Sequence, residues 1–184
     1  MKTIFLDRDG VINKDFGYVN KWKDFEFING SLEALQLLTK NEFSIIIVTN
    51  QAGIAKGLYT ENDFKKLTND FVFFCSNNNV KILDTFYCPH HKEGTIKKYT
   101  KNCKNRKPNP GMFLDAAKLY NIELTKAIMV GDNITDMNAS ISAGIRKNYL
   151  VKPNLTEEKL SNEFKFTIKE NLLSVTHEIS NHLY

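Results

Sequence analysis

The stretch "TIFLDRDGVIN", residues 3–13, sets the fold. Ile4, Phe5 and Leu6 form an apolar run that ends in two carboxylates, Asp7 and Asp9, followed by Gly10. Acids add nothing to the burial of a strand, so they need another reason to stand there. In an open parallel α/β sheet, ligands bind beyond the carboxyl ends of the strands, where Asp7 and Asp9 fall. An isolated doublet of this kind is more simply a turn before a glycine. Other apolar runs change that reading: Phe43 to Val48, Ile82 to Tyr87 and Ala127 to Val130 are rich in β-branched and aromatic residues. Segments of helical period separate them, which is the pattern of βαβ units. The spacing predicts an α/β fold, a Rossmann-like parallel sheet flanked by helices.

The helices carry their own signals. Ser31 is placed to cap a helix with Leu32, Leu35 and Leu38 on one face, and Thr60 with Asp63 makes a capping-box start for Phe64, Leu67, Phe71 and Phe74. Asn109 and Pro110 read as N-cap and first helical residue of a helix that buries Phe113, Ala116 or Ala117, and Tyr120. Near the end, "FKFTIKE" alternates like a strand, and Leu172, Val175, Ile179 and Leu183 recur at helical spacing. These stripes are core. With 184 residues, 42% of them hydrophobic and 25% charged, the expectation is one domain over 1–184.

Composition also excludes some classes. No apolar run approaches the roughly 20 residues of a membrane helix. Cys75, Cys88 and Cys103 are an odd, sparse set that suits a reducing compartment, so the protein is expected in the cytoplasm. A net charge of +4 is mild, and no aromatic series beyond Tyr99 accompanies the lysines of the 88–108 loop, so nucleic acid is not the expected partner. That loop, "CPHHKEGTIKKYTKNCKNRKP", lacks apolar period and is longer than the about 12–15 residues usual for a connection, which calls for a function. Cys75, on the apolar helix face, reads as a small buried hydrophobe.

Three strand ends deliver polar groups to one rim: Asp7 and Asp9, then Thr49 and Asn50, then Gly131 and Asp132. The set suits transfer of a phosphoryl group to a carboxylate. An attacking Asp7 must overcome repulsion from a phosphate dianion, and hard oxygen ligands such as Asp7 and Asp132 are what Mg²⁺ prefers. Lys107, in "RKPNPG", is the candidate second cation, and Thr49 a hydroxyl donor to phosphate. Asp9, two residues on, can protonate the leaving alcohol and later take a proton from water.

The segments "DRDGVIN", "VTN", "RKP" and "VGDNITD", in that order, resemble the four signature motifs of the haloacid dehalogenase superfamily of phosphohydrolases. Over nearly the whole chain, "FLDRDGVINKDFGYVNKWKDFEFI", "TNQAGIAKG", "CPHH" and "RKPNPGM" are similar to its subgroup acting on the 7-phosphate of heptose 1,7-bisphosphate. The resemblance implies a fold with no large cap domain and Mg²⁺ held by Asp7, the Asp9 carbonyl and Asp132. It implies Asp7 as nucleophile, Asp9 as acid and base, and Thr49 and Lys107 as phosphoryl stabilisers. Asp15, Phe16, Gly17, Tyr18, Asn50, Gln51, Ala52 and Arg106 would touch a small sugar phosphate. The product would feed nucleotide-activated heptose for surface glycans, and the enzyme would act as a monomer.

The chain departs from the subgroup twice. Asn133 stands where a lysine often follows the motif-four Asp, and Asn105 stands where a second loop cysteine would complete a zinc site with Cys88, His90 and Cys103. Whether Zn²⁺ binds is left open, with His91, Asn105 or water available to finish the set. The nearest rival is histidinol-phosphate phosphatase, against which "FGYV" and "DFEFI" count. A rival of another class, a phospho-accepting receiver domain, carries its Asp on a later strand.

Overall fold

The computed structural model describes residues 2–151 and 166–181. Six parallel strands form one sheet: β1 Thr3–Leu6, β2 Ser44–Asn50, β3 Ile82–Cys88, β4 Ile128–Gly131, β5 Lys147–Val151 and β6 Thr167–Lys169, in the order β3-β2-β1-β4-β5-β6. The apolar runs are continuous because both faces of the sheet are covered. Ile4, Leu6, Ile45 and Ile47 pack with helices α1 (Ser31–Lys40), α3 (Glu61–Asn77) and α6 (Leu172–Asn181). The alternate residues Phe5, Ile46 and Val48 meet α4 (Gly111–Tyr120) and α5 (Ile134–Ser142) on the other face. Phe5 and Phe113 meet edge to face there, with ring centroids 5.1 Å apart. No helix among the described residues is long and apolar enough to cross a membrane.

The chain runs outward from β1 through β2 to β3, then returns to the other side of β1 as β4. This reversal opens a crevice at the carboxyl ends of β1 and β4, the place where such sheets bind ligands.

Local detail corrects three expectations. Ser31 is the first helical residue of α1 and not its cap; Gly30, at φ 79°, precedes the helix, and the Ser31 hydroxyl donates to the Ile12 carbonyl. The helix α4 starts one residue later than expected, with Pro110 as its cap, because the Asn109 amide donates to the Cys103 carbonyl instead. Of the described part of "FKFTIKE", residues 166–170, Thr167–Lys169 is strand; Phe164, Lys165 and Leu183 lie outside the described residues. The capping box of Thr60 and Asp63 is present as expected.

The long 88–108 loop is docked. The amides of Thr95 and Ile96 both donate to the Ala55 carbonyl, the last residue of the short helix α2 (Ala52–Ala55). The hydroxyls of Tyr99 from the loop and Tyr87 from β3 donate to Glu61 at 2.6 and 2.5 Å. Those bonds hold the Glu61 carboxyl down from its ordinary 4.5 to about 2. A carboxyl lowered by folding stabilises above its unfolded value and loses that contribution as pH falls through the folded one. Glu61→Gln is therefore expected to melt about 2–4 °C below wild type near pH 6. The gap should narrow below about pH 4.5 and close near pH 2, which melting curves across that range would check. An unchanging gap would show that the ionised carboxylate is not what holds the loop.

Candidate active site

At the end of β1 the Asp7 amide donates to Val130 of β4, so the first carboxylate is fixed to both strands at the crevice. Buried Lys107 reaches it from the end of the long loop. Its Nζ lies 3.1 Å from Asp7 Oδ1, 2.6 Å from Asp136 Oδ1 and 2.8 Å from the Val48 carbonyl at the end of β2. Burial alone would lower the ammonium's pKa, but the Asp136 and Asp7 carboxylates outweigh it and hold Lys107 charged. Asn50 fixes the segment: its Oδ1 accepts from the Lys107 amide and its Nδ2 donates to the Lys107 carbonyl.

Asp132 follows β4. Carboxylate oxygens of Asp7, Asp132 and Asp136 lie within 4.8 Å of one another. Among the described residues Lys107 alone pairs with them, so the cluster is short of positive charge. Burial pushes Asp7 well above the usual carboxylate range, against the pull of Lys107, with Asp136, Asp132 and Asp9 adding. Burial likewise lifts Asp132 to about 6, with Asp136 adding and Lys107 opposing. Two glycines make room. A Cβ on Gly10, at φ +84°, would sit 2.1 Å from Asp132 Oδ2, and one on Gly131 would sit 2.4 Å from Asp136 Cβ. Asp136 also accepts from the Asn133 amide at 3.0 Å, in a capping box that opens α5. Asn133 thus serves as a helix cap where a lysine was the alternative. An all-oxygen donor set deficient in positive charge fits Mg²⁺ and suits no soft metal.

Asp9 stands beside this cluster, gripped by the Arg8 guanidinium and by the amides of Asn13 and Gln51. The side chain of Gln51 is fully engaged: Nε2 donates to Asp9 and to the Thr49 hydroxyl, and Oε1 accepts from Tyr59. The cavity, about 540 Å³, is lined by Asp7, Asp9, Thr49, Lys107 and Asp132 together with Asp15, Gly17, Tyr18, Asn50, Gln51, Ala52 and Arg106. Phe16 does not join them; it is 62% exposed and faces a neighbouring groove. The 15–18 segment makes a sharp turn, with the Asp15 carboxylate accepting from the Gly17 amide and both Gly17 and Tyr18 at positive φ.

Sequence reasoning passed over Asp136, Tyr59 and Arg8. Asp136 had a signal, since a lysine buried next to one carboxylate among several needs a second partner. Arg8 and Tyr59 had none, because hydrogen-bond direction is not written in spacing.

In the long loop, the ligand atoms of Cys88, His90 and Cys103 also lie within 4.8 Å of one another. His91 is turned to another use, its Nδ1 accepting from the Glu93 amide. The Asn105 Nδ2 donates to Asp115 at 2.8 Å, while its Oδ1 is buried with no hydrogen-bond partner among the described residues. Arg106 donates to the His90 carbonyl, which ties this cluster to the cavity wall.

Residues 3–173 match the family model described as polynucleotide kinase 3 phosphatase. The D-glycero-beta-D-manno-heptose-1,7-bisphosphate 7-phosphatase of Escherichia coli O6:H1 is 42% identical over 82% of this chain and 79% of its own length. The D-glycero-alpha-D-manno-heptose-1,7-bisphosphate 7-phosphatase of Photorhabdus laumondii is 43% identical over 83% of each chain. Among solved structures, the D,D-heptose 1,7-bisphosphate phosphatase of B. bronchiseptica, complexed with magnesium and phosphate, superposes with a TM-score of 0.87 at 28% identity, covering 99% of both chains.

Proposed function

The chain belongs to the heptose 1,7-bisphosphate 7-phosphatase family within the haloacid dehalogenase superfamily, and from that premise we propose that it removes the 7-phosphate of D-glycero-D-manno-heptose 1,7-bisphosphate through an aspartyl-phosphate on Asp7. One observation carries the chemistry: a buried ammonium, Lys107, 3.1 Å from a buried carboxylate, Asp7, with an acid–base candidate, Asp9, two residues away in the same cavity. Among the described residues Asp7 Oδ2 accepts no hydrogen bond, which leaves it free to attack.

In the first half-reaction an Asp7 oxygen bonds to phosphorus, the bond from phosphorus to the sugar oxygen breaks, and Asp9 gives that oxygen its proton. In the second, water attacks phosphorus, Asp9 takes the water's proton, and the bond to Asp7 breaks to release phosphate. Thr49 accepts from Gln51, so its own proton is available to a phosphoryl oxygen. Lys107 acts as a fixed point charge beside the nucleophile. Asp7 and Asp132, with the Asp9 carbonyl, would hold Mg²⁺, which offsets the phosphate's charge when bound. Arg106 and the 15–18 turn face the rest of the sugar. The reading takes the enzyme as a cytoplasmic monomer, and its three free cysteines fit a reducing compartment.

Parallel assays followed by ³¹P NMR test this. Heptose 1,7-bisphosphate, in both anomers, should lose its 7-phosphate and keep its anomeric phosphate, while histidinol phosphate should turn over about 100-fold more slowly. Faster turnover of histidinol phosphate would overturn the substrate.

The loop cluster is read as a weakened zinc site that pins Arg106 and Lys107 to the rim. Zinc bonds of about 2.0–2.3 Å place tetrahedral ligands under about 4 Å apart, close to the spacing found, but a neutral amide at 105 is a poor fourth ligand. Protein purified without chelators should hold well under one zinc per chain by elemental analysis, and Asn105→Cys should hold one. Equal full occupancy in both would mean the fourth ligand comes from elsewhere, and none in either would remove the site.

A further inference from the structure

Asp9 is held by Arg8, Asn13 and Gln51, groups with no catalytic role assigned to them. Arg8 is only 3% exposed, although both its chain neighbours, Asp7 and Asp9, line the cavity. Its Nε lies 3.2 Å from Asp9 Oδ2, and its Nη2 lies 3.0 and 2.9 Å from Oδ1 and Oδ2. The same Nη2 donates to the Val19 carbonyl at 3.0 Å, and the guanidinium carbon is 5.6 Å from the centre of the Phe64 ring. Nη1 is buried and has no hydrogen-bond partner among the described residues. Gln51 also holds Asp9 Oδ2 and is itself held by Tyr59, whose ring is packed so close to Gly53 that a Cβ there would lie 2.1 Å away. Burying a guanidinium with one nitrogen unsatisfied is unfavourable, a cost that the charge-assisted bonds of Nε and Nη2 to Asp9 offset.

We propose that Arg8 is a positioning residue for Asp9. Its planar fork, seated on Phe64 and tied to Val19, fixes the carboxylate in the orientation from which it passes a proton to the leaving oxygen and receives one from water. The Val19 bond also joins that orientation to the turn at 15–18, so the acid–base group and the substrate turn are set together. Lysine cannot substitute, since a point charge lacks the fork. The inference rests on the acid–base role given to Asp9 above.

The test uses leaving-group dependence. An alkyl leaving group needs the proton from Asp9; p-nitrophenolate does not, whereas hydrolysis of the phosphoenzyme needs Asp9 with either substrate. For Arg8→Lys and Arg8→Met, kcat on heptose 1,7-bisphosphate should fall about 100-fold with KM within about threefold. First-turnover release of p-nitrophenolate from p-nitrophenyl phosphate should stay within about fivefold of wild type and appear as a stoichiometric burst before slow turnover. Equal losses on both substrates without a burst, or no loss on either, would overturn the proposal. Arg8→Lys keeps the buried charge and stem, so it carries the comparison if Arg8→Met does not fold. Asp9→Asn is run in parallel. If it shows the contrast and the Arg8 variants do not, positioning fails; if Asp9→Asn itself lacks the contrast, the acid–base role fails. Should wild type cleave p-nitrophenyl phosphate but not the heptose, only the substrate reading fails, and fructose 1,6-bisphosphate serves as the alkyl phosphate.

Discussion

Asp7→Asn is expected to abolish turnover, by about 10⁴-fold or more, without unfolding the protein. The amide is nearly isosteric with the carboxylate but cannot form an acyl-phosphate. The fold should tolerate the change well, because Asp7 is a buried carboxylate crowded by Asp136, Asp132 and Asp9, with Lys107 as the cation that favours its charge. Lys107 keeps Asp136 at 2.6 Å after the substitution, so no cation is left unpaired. The melting temperature should therefore stay level or rise, the usual direction when a strained functional charge is removed. Activity within about tenfold of wild type would reject Asp7 as nucleophile.

Chelation should have an effect of similar size. Three carboxylates share the cluster with one ammonium, and an incoming phosphate adds further negative charge. Treatment with EDTA is expected to reduce turnover by at least about 10³-fold, and added Mg²⁺ to restore it. Ca²⁺ should not restore activity, since its larger and looser oxygen shell does not hold the octahedral geometry that suits in-line transfer. Full activity after exhaustive chelation would mean that Lys107 alone offsets the charge.

The main frame was legible because its central strands, β1, β2 and β4, are buried on both faces. Runs such as Ile45 to Val48 are apolar throughout, and their ends mark the crevice where Asp7, Thr49, Lys107 and Asp132 meet. The strand β5 was not legible. Its "KNYLV" opens with Lys147 and Asn148, and the buried Asn148 side chain is accommodated by hydrogen bonds, accepting from the Ser140 hydroxyl and donating to the Ile145 carbonyl. Side-chain direction was the other gap. Asn50 and Gln51 stand in the cavity wall as expected, yet their amides hold Lys107 and Asp9, and Phe16 points out of the cavity that its neighbours line. The site's carboxylates could be placed from topology, whereas the hydrogen bonds that orient them depend on packing from elements distant in sequence, such as Tyr59 on Gln51.

The most direct test is to find the phosphoryl group on the protein. Asp9→Asn, mixed with heptose 1,7-bisphosphate and Mg²⁺, is quenched in acid during turnover and digested with pepsin, and the peptides are read by mass spectrometry. The peptide containing Asp7 should carry the mass of one phosphoryl group, with fragmentation placing it on Asp7. Phosphate release with that peptide unmodified, or with the phosphoryl group on another residue, would contradict the mechanism.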